Sequence, residues 1–180
     1  MSGDVLIVVD MQVGLLDGLP KHDLSGVVQR INALAAMVRQ RAGLVVWIRH
    51  CGKAGDGFER ASKGWAFLPE LDCRPEDAIV EKTLNDSFAG TALHATLQHH
   101  APDRLLITGW ATDSCVDSTV RSAISRDYDV VVASDAHTLS DRPHLEAPAV
   151  IRHHNWVWSD LLTNRSTRVA TTDELIAEQR

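Results

Sequence analysis

Apolar residues in this chain fall in short unbroken runs that alternate with segments where they recur every third or fourth position. Val5-Leu6-Ile7-Val8-Val9 is one such run, bounded by Asp4 and Asp10, and a continuous apolar run of this length reads as a parallel strand buried on both faces. From Leu24 to Arg41 the positions Val27, Ile31, Leu34, Ala35 and Val38 make one helical stripe, with Gly43 expected as the residue that closes the helix. Further strands are expected at Leu44 to Arg49, Ala78 to Lys82, Leu105 to Thr108, Asp129 to Ser134 and, more weakly, Arg168 to Ala170. Further helices are expected near Thr91 to Gln98, after Cys115 through Val116, Val120, Ala123 and Ile124, from Glu146 to Leu162, and from Thr172 to Glu178 under a Thr171 or Thr172 cap. This alternation predicts an α/β domain with a parallel sheet and right-handed crossovers, and no repeat or linker divides residues 1–180.

Sites in such sheets lie beyond the carboxyl ends of the strands, so the residues there carry the chemistry. Asp10 ends the first strand, Lys82 the third, and Cys115 follows the fourth at the predicted start of a helix. A thiol at a helix N-terminus is drawn toward its thiolate, and Thr112, Asp113 and Ser114 before it are N-cap residue types. A carboxylate beside it can take the thiol proton and an ammonium can offset the resulting charge, so the three form a candidate nucleophile, base and cation. Taken singly, Cys115 also reads as a buried small hydrophobe, Asp10 as a turn cap and Lys82 as a solvated strand end. The stretch from about His50 to Arg74 holds glycines, mixed charges, Phe58, Trp65 and Phe67 without a sustained period, and reads as a lid or pocket wall.

Composition narrows the partners. With 180 residues, 44% hydrophobic and 23% charged, the chain can bury one sizeable core, and its net charge of −6 argues against nucleic acid or an anionic membrane as partner. A small-molecule substrate is the expectation. No stretch approaches the ~20 apolar residues of a membrane span, and the N-terminal run lacks a basic leader, which suggests a cytoplasmic location. Cys51, Cys73 and Cys115 are odd in number and widely spaced, so neither a disulfide framework nor a zinc ribbon is suggested. The pairs His99-His100 and His153-His154 cannot chelate alone, since adjacent helical residues point about 100° apart, and no metal is expected. A metal-dependent hydrolase built from the histidines is the reading this sets aside.

Three segments carry a resemblance: Val8-Val9-Asp10-Met11-Gln12, Glu81-Lys82-Thr83-Leu84-Asn85-Asp86-Ser87-Phe88, and Gly109-Trp110-Ala111-Thr112-Asp113-Ser114-Cys115-Val116. In this order and spacing they resemble the isochorismatase-like cysteine hydrolases, which include nicotinamidases, ureidoacrylate amidohydrolases and isochorismatase itself. The resemblance covers nearly the whole chain. It implies a Rossmann-like, three-layer fold with a six-stranded parallel sheet in the order 3-2-1-4-5-6. It also implies an Asp10, Lys82, Cys115 triad, an oxyanion hole from the N–H groups of Ala111 and Cys115, a cis Trp110-Ala111 bond, and assembly as a homodimer or homotetramer. No organic cofactor is called for.

Nicotinamidases carry an Asp-x-His metal element after the second strand, whereas Trp47-Ile48-Arg49-His50-Cys51-Gly52 has one His and no Asp, which argues against that activity. Retention of Cys115 favours C–N bond cleavage of an amide, ureide or imide over vinyl-ether hydrolysis, while a catalytically silent scaffold of the same fold stays open. Candidate pocket residues are Leu15 and Leu16, Trp65, Asn85, Phe88 and Trp110, each with packing as its plain alternative. His137 and His144, in the polar segment after the fifth strand, could shape the pocket, a subunit contact or simply the surface. Trp156 and Trp158 surround a helix, which suggests a buried intersubunit helix.

Overall fold

The computed structural model describes residues 3–178. Six strands, β1 (Val5–Val9), β2 (Leu44–His50), β3 (Ala78–Lys82), β4 (Leu105–Trp110), β5 (Val130–Thr138) and β6 (Thr167–Ala170), form one sheet in the order β3-β2-β1-β4-β5-β6. Every pairing is parallel. The helices are α1 (Val13–Leu16), α2 (Leu24–Gln40), α3 (Leu93–His100), α4 (Asp117–Ile124), α5 (Ala147–Ser159) and α6 (Thr172–Ala177).

All five side chains of β1 are fully buried, which explains the unbroken apolar run. Leu6 and Val8 face α2 and α6, packing with Ile31, Leu34, Val38 and Leu175. Val5, Ile7 and Val9 face the other layer with Leu93, Leu97, Val120, Ala123 and Trp158. Each such side chain contributes about 1.5–3 kcal/mol of burial, so the central strand is pinned from both sides. At the end of β4, Gly109 has φ 115°, and a Cβ there would lie 2.2 Å from the Val9 carbonyl oxygen. β4 lies alongside the end of β1 because residue 109 has no side chain.

Local details depart from expectation. The left-handed residue after α2 is Ala42 (φ 57°) rather than Gly43; Gly43 is required instead because a Cβ would lie 2.2 Å from the Asp4 carbonyl oxygen. β5 runs four residues past Ser134, because its end is held by side chains rather than by an apolar pattern. Thr171, with Glu174, makes a complete capping box for α6. Trp158 fills this chain's own core, so α5 is not aromatic on all faces toward a partner; Trp156 points outward, 63% exposed. Among the described residues no helix is long and apolar enough to cross a membrane.

Candidate active site

The carboxyl ends of β1, β3 and β4 meet at one edge of the sheet. Asp10, the residue after β1, adopts the left-handed conformation (φ 53°), which an aspartate tolerates better than most residues, and this turns the chain out of the strand. Its Oδ2 lies 2.5 Å from Nζ of Lys82, the last residue of β3, with both side chains fully buried. Lys82 Nζ also donates to the carbonyls of Leu84 (3.0 Å) and Asn85 (3.2 Å), so three acceptors surround the ammonium. The Asp10 oxygens have no hydrogen bond of ordinary geometry, and the Lys82 contact is an ion pair. Burial pushes the Asp10 carboxyl above the usual carboxylate range, against the opposing pull of Lys82.

Cys115 is 5% exposed. Its thiol donates to Asn85 Oδ1 at 3.7 Å and lies 4.0 Å from Ser114 Oγ. Burial first, then the negative charge of Asp10, pushes the thiol up to about 11, with Lys82 pulling the other way. Burial and the Asp10 charge thus act against the thiolate that a helix N-terminus would favour and hold the group toward its neutral form. Nor does an ordinary helix begin at Cys115. Residues Thr112–Val116 form a π-helical turn, in which the Ala111 carbonyl accepts from both Ser114 N (3.0 Å) and Val116 N (3.1 Å), and α4 follows. The preceding Trp110-Ala111 bond is cis.

Thr112, Asp113 and Ser114 do not cap that turn. Thr112 Oγ1 instead meets His137 Nδ1 (2.9 Å), and Asp113 forms a two-pronged ion pair with Arg142. His137 is buried, with Nε2 3.0 Å from Asn155 Oδ1, and burial pulls it down to about 4. It is neither solvent-exposed nor a surface contact; His144 is exposed.

Gln12 is a residue whose role the sequence did not reveal. Fully buried, it accepts from His50 N (2.7 Å) and donates to the carbonyls of His50 (3.0 Å) and Trp65 (3.1 Å). Together with Val13 N to Ala66 O (2.9 Å) and Leu68 N to Met11 O (3.0 Å), this clamps the long 51–77 connection onto the end of β1. A polar residue three positions past a buried strand was the available signal.

The pocket candidates separate. Asn85 meets the sulphur directly. Trp65 is half-buried with the Arg49 guanidinium 3.4 Å above its ring, and its indole donates to Cys51 Sγ (3.3 Å). Leu15 and Trp110 are half-buried; Trp110 packs against Leu139, Ala147 and Val150. Phe88 is an interior residue stacked on Tyr128 at 6.0 Å, in the same packed cluster as Cys115, Val116 and Val120. His50 is half-buried, and burial lowers its pKa against the opposing charge of Asp10.

Comparison with known proteins decides the family. The model of the isochorismatase domain matches residues 4–159. The chain belongs to the isochorismatase family. This isochorismatase-family chain is 31% identical over 139 residues to a streptothricin hydrolase of Streptomyces noursei, covering 77% of this chain and 50% of that protein. It is 36% identical over 78 residues to the ureidoacrylate amidohydrolase of Variovorax paradoxus, covering 42% of this chain and 31% of that one. The chain thus spans about half the length of the first curated relatives it matches. Among solved structures, an isochorismatase from Pseudomonas putida KT2440 superposes with a TM-score of 0.82 at 26% identity, covering 95% of this chain and 89% of that one. The six-stranded order 3-2-1-4-5-6 is this family's fold. Among the described residues of the isochorismatase domain, no group of three or more His, Cys, Asp or Glu side chains is arranged to hold a metal.

Proposed function

We propose that this isochorismatase-family hydrolase cleaves a C–N bond of a small amide, ureide or imide through a thioester on Cys115. The observation that carries this reading is the fully buried Asp10–Lys82 ion pair, whose charges both act on a neutral thiol at the same edge of the sheet. Because the thiol rests protonated, attack requires a base, and Asp10 is a carboxylate whose pKa burial has raised toward that task. Asp10 takes the Cys115 proton as sulphur bonds to the carbonyl carbon. The oxyanion forms against the N–H groups of Ala111 and Cys115. Asp10 then gives its proton to the leaving nitrogen, the C–N bond breaks and a thioester remains. Water loses a proton to Asp10 and attacks the thioester; the C–S bond breaks, and the thiolate recovers the proton. Lys82 keeps Asp10 ionised between these transfers. Streptothricin and ureidoacrylate are the relatives' substrates by name; hydrolysis is common to both names, and the amidohydrolase of the second supports C–N cleavage here.

A panel of small amides, ureides and cyclic imides assayed for released ammonia or amine tests the reading, with Cys115→Ala as blank. Activity is expected in the wild type and absent from the blank; activity surviving in the blank overturns the assignment of the nucleophile. Iodoacetamide should label Cys115 faster than Cys51 or Cys73 despite its burial, and Asp10→Asn should abolish that preference. Equal labelling of all three thiols would return the protein to a silent scaffold.

A further inference from the structure

The π-helical turn Thr112–Val116 carries the nucleophile, and its backbone is held from outside by side chains that the hydrolytic cycle does not use. The tie at its first residue has a defined direction. Asn155 Nδ2 lies 2.9 Å from the Ser134 carbonyl, which can only accept, so the amide nitrogen faces that carbonyl and Oδ1 faces His137. Oδ1 can only accept in turn, so His137 Nε2 carries the hydrogen. In a neutral imidazole this leaves Nδ1 as an acceptor, and the Thr112 hydroxyl, 2.9 Å away, donates to it. The chain Thr112 → His137 → Asn155 with Asn155 → Ser134 O therefore runs one way, from the turn through β5 to α5 and back to β5. His137 is additionally fixed by the edge-on Trp158 ring at 5.1 Å, and Trp158 Nε1 donates to Asp117 Oδ1 (2.8 Å), the first residue of α4. The β5–α5 layer thus grips both ends of the turn.

We infer that His137 is a positioning residue: through the Thr112 hydroxyl it fixes the orientation of the Ala111–Cys115 turn, and so aims the backbone donors at the oxyanion. This rests on the proposed thioester reaction but concerns a separate part of it. Two reactions of the same sulphur tell them apart. Acylation of Cys115 by p-nitrophenyl acetate passes through an oxyanion; alkylation by iodoacetamide does not.

Three variants are compared, with Cys115→Ala as blank: Thr112→Val removes the hydroxyl at nearly constant shape, Thr112→Ser restores it, and His137→Phe removes the acceptor. In Thr112→Val the acylation rate at saturating ester is expected to fall about 10-fold, with the half-saturation concentration and the alkylation rate each within about twofold of wild type. Thr112→Ser should recover to within about threefold, and His137→Phe should match Thr112→Val. An unchanged acylation rate in Thr112→Val overturns the inference, and so does an equal fall in acylation and alkylation, which would mark general distortion of the thiol site. Nitrogen-15 NMR of the wild-type protein at neutral pH gives an answer independent of turnover: a protonated Nε2 and bare Nδ1 on His137 are expected, and the opposite tautomer overturns the inference. If the wild type releases no nitrophenolate above the Cys115→Ala blank, the thioester reading fails. The tautomer, with the amide shifts of Ala111 and Cys115 in Thr112→Val, then decides the positioning role alone, unmoved shifts counting against it.

Discussion

At the scale of single residues, the site is governed by desolvation. Asp10 and Cys115 are both held above their ordinary pKa values by burial, and Lys82 is the cation that opposes burial at each. Replacing Lys82 with Met would leave the Asp10 carboxyl buried without a counter-charge, so its pKa would rise further. In the proposed cycle Asp10 works as a base only when ionised. Its activity is present above the Asp10 pKa and lost as pH falls through it, so the acid limb of kcat/KM in Lys82→Met should move to higher pH, with a loss of about 10²–10⁴-fold at neutral pH. A pH–rate profile checks this; an unmoved acid limb would mean that Lys82 does not control the base. The three candidate side chains were legible as residue types, Asp10 and Lys82 at strand ends and Cys115 in the turn after the fourth strand. The protonation state of Cys115 was not, because burial depends on what the rest of the chain packs over the sulphur.

At the scale of elements, periodicity located the strands and helices because each strand in the middle of the sheet is covered on both faces, and such strands are written as unbroken apolar runs. It failed where polar side chains decide the backbone. The π-helical turn, the extension of β5 to Thr138 and the Gln12 clamp all depend on partners 18 to 116 positions away in sequence. His137, which ties β5 to the turn, also makes these elements sensitive to acid. Burial lowers it to about 4, His154 adds to that effect and Asp135 opposes it. A histidine whose folded pKa lies below its unfolded value near 6.5 stabilises fully above the unfolded pKa, and this stabilisation is lost as pH falls toward the folded one. The difference corresponds to about 3 kcal/mol. Urea titrations at pH 7.5 and 4.5 should show most of this loss in the wild type and a correspondingly smaller one in His137→Phe. Equal losses in the two proteins would contradict the buried neutral imidazole.

For the whole molecule, the segment before β1, the start of β4 and the residue after α6 are joined at the amino-terminal edge of the sheet, opposite the candidate site. Arg104 makes a two-pronged ion pair with Asp4 (3.1 and 3.0 Å) and a third bond to Glu178 (2.6 Å). Arg104 and Asp4 are both buried, so Arg104→Met would remove this two-pronged pair from the interior and should cost about 1.5–3 kcal/mol, read as a lowered midpoint in thermal unfolding. A change below about 1 kcal/mol would show that the pair is dispensable to the fold. Catalytic spacing, too, is set at this largest scale. Asp10 follows β1 and the turn bearing Cys115 follows β4; these neighbouring strands pair Val9 with Gly109, where no methyl group can be inserted against the Val9 carbonyl. Gly109→Ala should therefore silence turnover while Asp10, Lys82 and Cys115 all remain in place. The close approach of the two strands that lead to the carboxylate and the sulphur rests on an atom the chain does not have.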